Sequence, residues 1–409
     1  MRRRFQAIDD ELQAFVECFS DVFRHCRRTF WCTRVLQGLI SDLPRKSIEP
    51  MAAAVPHGNV QAMQEFVSDS RWDEGRVLER LREIVNESIG LSDGVWILDD
   101  TSLPKQGRHS VGVAHQYCGA LGKIANCQSL VSWHFASSRF DTPLNARLFL
   151  PQQWANDDAR LKRAHVPSKH RQHQEKWRIA LDLADEMAAA LPRPKAILAD
   201  AAYGSNRDFL RALDERALPF AVQTSAASSF WPGDVAVTSK TVNTGARPRK
   251  YDRVVSVDAA PRSADAWAQE LFAQPKVPKV TRVPIAGRPS VKYVAIQVYE
   301  AVRTRHPALG PKRWLIVERR ASGELKYYVS NQVEMQPAQI IKLLHRRWQV
   351  EQGYRQLKDE LGLDHFEGRS WRGLHHHVTL CFMAYAYLQL LAHRHASKSK
   401  KTTHAHSDA

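Results

Sequence analysis

None of the six cysteines (Cys18, Cys26, Cys32, Cys118, Cys127 and Cys381) forms a Cys-x-x-Cys pair. That argues against a zinc ribbon or a dithiol redox motif and fits reduced thiols in a cytosolic compartment. An apolar run of about 18 residues, the minimum for a membrane-spanning helix, is also missing. Arg2, Arg3 and Arg4 open the chain, but Asp9, Asp10 and Glu11 follow where a secretory signal would turn apolar, so no signal peptide is expected. No internal repeat is evident. Acids are in short supply: 43 Asp and Glu stand against 59 Lys and Arg, a formal net charge of +16 over 409 residues. Such an excess suits a polyanionic partner, nucleic acid being the commonest; a generally basic soluble protein is the plainer alternative. The expectation is a cytoplasmic protein of two or three domains, with no membrane partner.

The pattern along the chain divides it. Residues 1–90 carry apolar residues at helical spacing, punctuated by Pro44 and by the turn at Pro56 and Gly58, with Arg45 and Lys46 in a basic turn. Residues 91–224 alternate short apolar runs with helical stretches. Strands are expected at 95–98, 129–135, 144–150, 196–199 and 220–223, and helices at 174–191 and 206–215. Residues 225–332 are rich in Val, Thr, Tyr and turn residues, which reads as a mostly β segment; Arg303, Arg305, Lys312, Arg313, Arg319 and Arg320 make it basic. Residues 333–392 hold a long helix over 337–361, with Pro337 in its first turn and Gly362 after it, and a last helix over 375–391. Residues 393–409 read as a basic, disordered tail.

Three carboxylates draw attention. The run at 95–98 ends in Asp99, Asp100, Thr101 and Ser102, and the run at 196–199 ends in Asp200. Strand ends hold ligands rigidly, and paired metal ions roughly 4 Å apart can activate the attacking oxygen of a phosphodiester exchange and steady the leaving one. Alternation sends Asp99 and Asp100 to opposite faces, so only one of them would be a ligand; each of these acids would serve equally as a turn or cap residue. On the helix over 337–361, Leu343, Val350, Tyr354, Leu357 and Leu361 form the apolar stripe. Arg347, Glu351 and Lys358 line an adjacent face, either as a solvated ion pair with an extra lysine or as a ligand flanked by two phosphate-gripping cations.

At this helix the chain resembles bacterial insertion-sequence DDE transposases, more closely the IS-four-like superfamily with its seven-hundred-and-one family, whose signature is Tyr-x2-Arg-x3-Glu-x6-Lys. In RRWQVEQGYRQLKDELGLDHFEGRSWRG, Arg347, Trp348, Glu351 and Lys358 match, and Leu344 stands at the tyrosine position. WILDDTSLPKQGRHSVGVAHQYCGALGKIANCQ resembles the first-Asp block and favours Asp100; AILADAAYG resembles the second and gives Asp200; LPRKSIEPMA and LFLPQQW are also similar. The likeness covers roughly residues 30–390.

The resemblance implies an α/β fold: a ribonuclease-H-like catalytic core interrupted by a mostly β insertion, with an N-terminal helical domain that binds DNA ends. It implies Asp100, Asp200 and Glu351 as catalytic residues and ligands of two Mg²⁺ ions, which Mn²⁺ can replace. Arg347 and Lys358 would contact DNA phosphates; Lys105, Arg108 and His109 could line the DNA path or form an ordinary polar loop. The partners implied are double-stranded DNA, as element ends and target, and a second copy in a homodimer on DNA, in a bacterial, nucleoid-associated setting. The activity implied is strand cleavage and strand transfer; a silent DNA-binding derivative and a nuclease that cuts without joining are the alternatives. Similar enzymes press a tryptophan against a flipped base, for which Trp231, Trp267 and Trp314 are candidates, each more simply read as core. Cys118, Cys127 and His115 lack ligand spacing and read as core; His375, His376 and His377 read as surface or phosphate-adjacent.

Overall fold

The computed structural model describes residues 2–238, 253–255, 259–273, 281–285, 288–302 and 308–405. The chain is a mixed α/β protein with two sheets, and it forms two compact units: Met1–Arg193 with Trp348–Ala409, and Pro194–Arg347. The first unit opens with six helices, α1 (Arg2–Glu17), α2 (Ser20–Phe23), α3 (Cys26–Ile40), α4 (Ile48–Ala54), α5 (Val60–Ser68) and α6 (Glu74–Ile89). Local chemistry sets their ends. Asn59 accepts from Ala62 N–H to start α5, and Asp73 accepts from Gly75 and Arg76 N–H to start α6, satisfying donors that a helix leaves unpaired. Gly90 closes α6 at a φ of 72°, a value glycine reaches without penalty.

Four antiparallel strands follow: β1 (Val95–Pro104), β2 (Ala114–Cys118), β3 (Lys123–Ala136) and β4 (Asp141–Leu148). β3 is central. β1 runs along one edge, from Val95 opposite Ala136 to Pro104 opposite Cys127; the other edge takes β2 on its first half and β4 on its second. This pairing carries β1 past the acids where the sequence pattern ends it, so Asp99 and Asp100 lie within the strand. After α7 (Gln152–Ala155) and α8 (Asp158–Arg163), α9 (Lys176–Ala188) packs on the sheet, and the buried Trp133 indole donates to Ala180 O at 2.9 Å. Cys118 and Cys127 are buried in this core, as their spacing suggests.

The second unit begins with β5 (Ile197–Leu198), α10 (Ala201–Gly204), α11 (Arg207–Glu215) and β6 (Ala221–Thr224). Gly204 packs so closely on β6 that a Cβ would lie 2.0 Å from Gln223 O. Then come β7 (Ser229–Pro232), β8 (Val237–Thr238), β9 (Arg253–Val254), β10 (Arg262–Ser263), α12 (Ala264–Ala273), β11 (Thr281–Ile285), β12 (Arg288–Val302), β13 (Ala308–Arg319) and β14 (Leu325–Ser330), then α13 (Pro337–Leu344). Their main sheet has the order β10-β7-β12-β13-β14-β6. Residues 225–332 are thus strand-rich where described, with α12 as their helix. Arg303 and Arg305 lie outside the described residues. Arg313 is no surface base: it is buried between Glu300, 2.6 Å away, and Asp214.

The chain returns to the first unit with α14 (Trp348–Arg355) and α15 (Trp371–Ala405). The single helix expected over 337–361 is instead a succession: α13, a 3₁₀ turn at His345–Arg347, α14, and a π-turn at Gln356–Glu360 closed by Leu361 N–H to Gln356 O. The tightened turn falls where the chain passes between units. The expected apolar stripe survives, since Leu343, Val350, Tyr354, Leu357 and Leu361 are all buried. α15 starts earlier than 375 and extends to Ala405, so residues 393–405 are helical rather than a disordered tail. It packs on α3, α5, α6 and β4. The run His375, His376 and His377 is buried inside that packing, not at the surface. Each ring bonds backbone groups: His375 meets Trp371 O, His376 meets Val67 O and Trp72 O, and His377 meets Gly362 O. Burial holds all three below the usual imidazole range.

Candidate active site

Within the first unit, β1 presents Asp99 and Asp100 in succession, both half-buried. Asp99 turns its carboxylate back on the chain, accepting from Asp100 N–H at 3.0 Å. Asp100 reaches α9 instead, where Lys176 Nζ donates to its Oδ2 at 2.7 Å. The two side chains are about equally open to solvent, 34% for Lys176 and 28% for Asp100. Asp100 therefore already attracts a cationic group.

Helix α14 packs against β1, β3 and β4, and two side chains fix it beside Asp100. Tyr354 Oη donates to Asp99 O at 3.3 Å and pairs with Ser132 Oγ on β3. From the π-turn, Lys358 Nζ donates to Ser102 O at 3.1 Å. These bonds grip the β1 backbone on either side of Asp100. Glu351 lies on α14 one turn before Tyr354 and is exposed. Gln349 Nε2 adds a bond to Ser137 O at 3.0 Å. Beneath α14, His134 is buried and shares Ser132 Oγ at 3.1 Å; burial lowers its imidazole pKa to about 3, so it stays neutral. Gly353 faces the same layer: a Cβ there would lie in ordinary contact, 3.5 Å from Tyr385 Oη and 3.8 Å from Asp141 Oδ2. The Tyr354→Phe variant should lose about 1 kcal/mol of stability in thermal denaturation, because the buried Ser132 hydroxyl loses one of its two partners and keeps only His134. No loss would show that this contact does not fix α14.

Asp200 belongs to the second unit. It follows β5 as N-cap of α10, and its Oδ1 accepts from Ala202 N–H at 3.0 Å and Tyr203 N–H at 3.3 Å. The capping role open to any such Asp is therefore real here, and it fixes the carboxylate. Arg347 ends the second unit, half-buried in the 3₁₀ turn. Its expected row with Glu351 and Lys358 rests on uniform α-helical spacing, which the 3₁₀ turn and the π-turn interrupt. Lys358 accordingly faces the β1 backbone, and burial lowers its pKa. Lys105 is also turned inward, donating to Phe366 O at 2.6 Å and Asp364 O at 3.3 Å, with burial lowering its pKa against the pull of Asp364 and Glu367. Lys46 is buried and Arg45 pairs with Glu367, so the basic turn holds the same loop. Arg108 and His109 are exposed. Among the described residues, no three His, Cys, Asp or Glu side chains are gathered as a metal site.

One side chain here, Lys176, carries no signal in the sequence. Lys176 is hidden because nothing in a helical stretch marks a partner 76 positions earlier. Trp348, which matches in the signature run, is 45% exposed one turn before Glu351, whereas the candidates Trp231 and Trp267 are buried and Trp314 is half-buried with its indole on Met335 O. No described helix is long and apolar enough to cross a membrane.

The chain is similar to a probable transposase for insertion sequence element IS701 from Microchaete diplosiphon, 28% identical over 217 residues. The match covers 53% of this chain and spans about half of the relative's length, 53%. Residues 16–283 match the family model described as DDE superfamily endonuclease, a span that contains Asp100 and Asp200 and ends before Glu351. With that match over more than half its length, the chain belongs to the DDE superfamily endonucleases.

Proposed function

We propose that the protein is a transposase that cuts DNA at the ends of an insertion sequence and joins the freed 3′ ends to target DNA. The observation that carries this reading is the grip of α14 on β1: bonds from Tyr354 and Lys358 to the carbonyls of Asp99 and Ser102 hold the helix of Glu351 beside Asp100. The family and the IS701 relative support it. In this reading the first unit's sheet belongs to a ribonuclease-H-like core, residues 225–332 are an insertion in it, and α1–α6 grip the DNA ends. Arg24, just after α2, and Arg27, in the first turn of α3, are exposed and suit that last role.

Endonucleases of this superfamily use divalent metal ions. The residues fit such a group. Asp100, Asp200 and Glu351 offer the hard oxygen donors that Mg²⁺ and Mn²⁺ prefer, and Asp100 already holds an ammonium group at 2.7 Å. Two bound ions would activate the attacking oxygen and steady the leaving one. Before loading, Lys176 compensates and orients the Asp100 carboxylate, and the α10 cap orients Asp200. The Lys358 ammonium sits over the end of β1 and adds positive charge for a scissile phosphate; Arg347 and the exposed Arg108 supply further positive charge to the DNA path, whereas Lys105, expected there too, is taken up by the carbonyls of Asp364 and Phe366. We place a homodimer on double-stranded DNA, in a nucleoid-associated bacterial protein.

Incubating the protein with Mg²⁺ and DNA from the flanks of its gene tests this. Nicked ends and strand-transfer products support the reading. A mobility shift without any nick would overturn it, and nicks without joined products would reduce it to a nuclease. Binding should also weaken by a factor on the order of 10³ or more between 50 and 200 mM salt, as neutralised phosphates regain their counterions. A flat salt dependence in a filter-binding titration would contradict a phosphate-led interface.

A further inference from the structure

Residues 101–140, directly after Asp100, contain no Asp or Glu but hold Lys105, Arg108, Lys123 and Arg139. They build the β2–β3 hairpin, whose two faces differ sharply. One packs inward through Ala114, Cys118 and Cys127. The other opposes Tyr117 to Ile124 across the strands and leaves them 68% and 62% exposed, with Leu121 at the turn 49% exposed. Large apolar side chains this open, grouped at one tip, call for a partner. The tip stands close to the candidate chemistry: Gly119 N–H donates to Ser102 Oγ at 3.3 Å, two residues along β1 from Asp100.

From this geometry we infer that the hairpin tip is a DNA wedge, with Tyr117, Leu121 and Ile124 entering the base stack beside the scissile phosphate. The inference rests on the DNA-cutting reading above. Charge selects the occupant. An apolar tip on an acid-free base bearing the exposed Lys123 and Arg108 matches DNA, where cations meet phosphates and apolar side chains pry base steps apart. A tyrosine ring also offers every base a stacking face. Opening the duplex there would bring the target phosphate within reach of β1.

The test uses full-length protein and duplexes from the flanks of its gene, each carrying one 2-aminopurine, whose fluorescence rises when it leaves the stack. The wild type should raise the signal severalfold at one position near the cut. The combined Tyr117→Ala, Leu121→Ala and Ile124→Ala variant should lose that rise and cut on the order of tenfold more slowly, with mobility-shift affinity changed only a few-fold. Tyr117→Phe should keep both. These side chains are exposed, so their truncation leaves the core intact. A full rise in the combined variant overturns the wedge, as does a rise lost only in Trp348→Ala. A free wild type that sediments as a dimer while the combined variant is monomeric makes the tip a self-interface and overturns it too. If the wild type binds no DNA, the DNA-cutting reading fails and the wedge falls with it; if it binds and cuts but opens no base, the wedge alone falls.

Discussion

Asp100→Asn, Asp200→Asn and Glu351→Gln should each lower DNA cleavage by on the order of a thousandfold or more, while mobility-shift affinity for end DNA stays within a few-fold. A lost metal ligand removes several kcal/mol of charge stabilisation from a phosphoryl-transfer transition state, and about 4 kcal/mol corresponds to a thousandfold in rate. The three changes leave the fold standing, so the loss can be assigned to chemistry. Asn caps a helix about as well as Asp, so Asp200→Asn keeps the bonds to Ala202 and Tyr203 that start α10. The Asp100–Lys176 pair is about a third exposed on each side, and such a pair contributes under about 1 kcal/mol. Glu351 is exposed. Cleavage assays beside thermal melts read both quantities. Wild-type cleavage in any of the three variants would remove that residue from the site.

Arg313→Ala should destabilise the second unit by roughly 3–5 kcal/mol, the cost of leaving buried charges without their partner. The guanidinium is 3% exposed and lies between Glu300 and Asp214, whose side chains are 11% and 25% exposed. Its Nε bonds Glu300 on β12 and its terminal nitrogens bond Asp214 on α11, so it ties that helix to the sheet. Attraction to both carboxylates outweighs burial and holds the Arg313 pKa above its ordinary value. Because Asp200 caps α10 in this unit, the variant should also lose cleavage at temperatures where the wild type remains active. Combining Arg313→Met with Glu300→Gln should recover part of the loss, since fewer unpaired charges stay buried. Denaturant melts decide this; a change under about 1 kcal/mol for Arg313→Ala would show that the cluster is solvated.

Elements whose signals are local were legible in the sequence. Asn206 starts α11 and Pro337 starts α13 because a cap and a first-turn proline act within one turn of chain. The strand-rich texture of 225–332 and the buried stripe from Leu343 to Leu361 follow from periodicity in the same way. What was not legible depends on partners far along the chain. β1 runs on to Pro104 because β3 supplies ladder partners for Leu103 and Pro104. A helical wheel assumes one pitch, so it missed the π-turn that faces Lys358 toward β1. The histidine run, with no acids at ligand spacing, reads as surface or phosphate-adjacent, yet three rings at consecutive positions each find backbone partners within a packed helix. In the candidate site, the three carboxylates were nameable from short motifs, while Lys176 and the Tyr354–Ser132 contact exist only in the folded chain.

The most direct test is metal-directed scission of the protein itself. Fe²⁺ would replace Mg²⁺ on the DNA-bound protein, with ascorbate and peroxide added, so that the backbone is cut close to the bound iron. The account predicts cuts clustered around residues 100, 200 and 351 together, suppressed by excess Mg²⁺ and lost in Glu351→Gln. Cuts near only one of the three, or at a place remote from all of them, would contradict it.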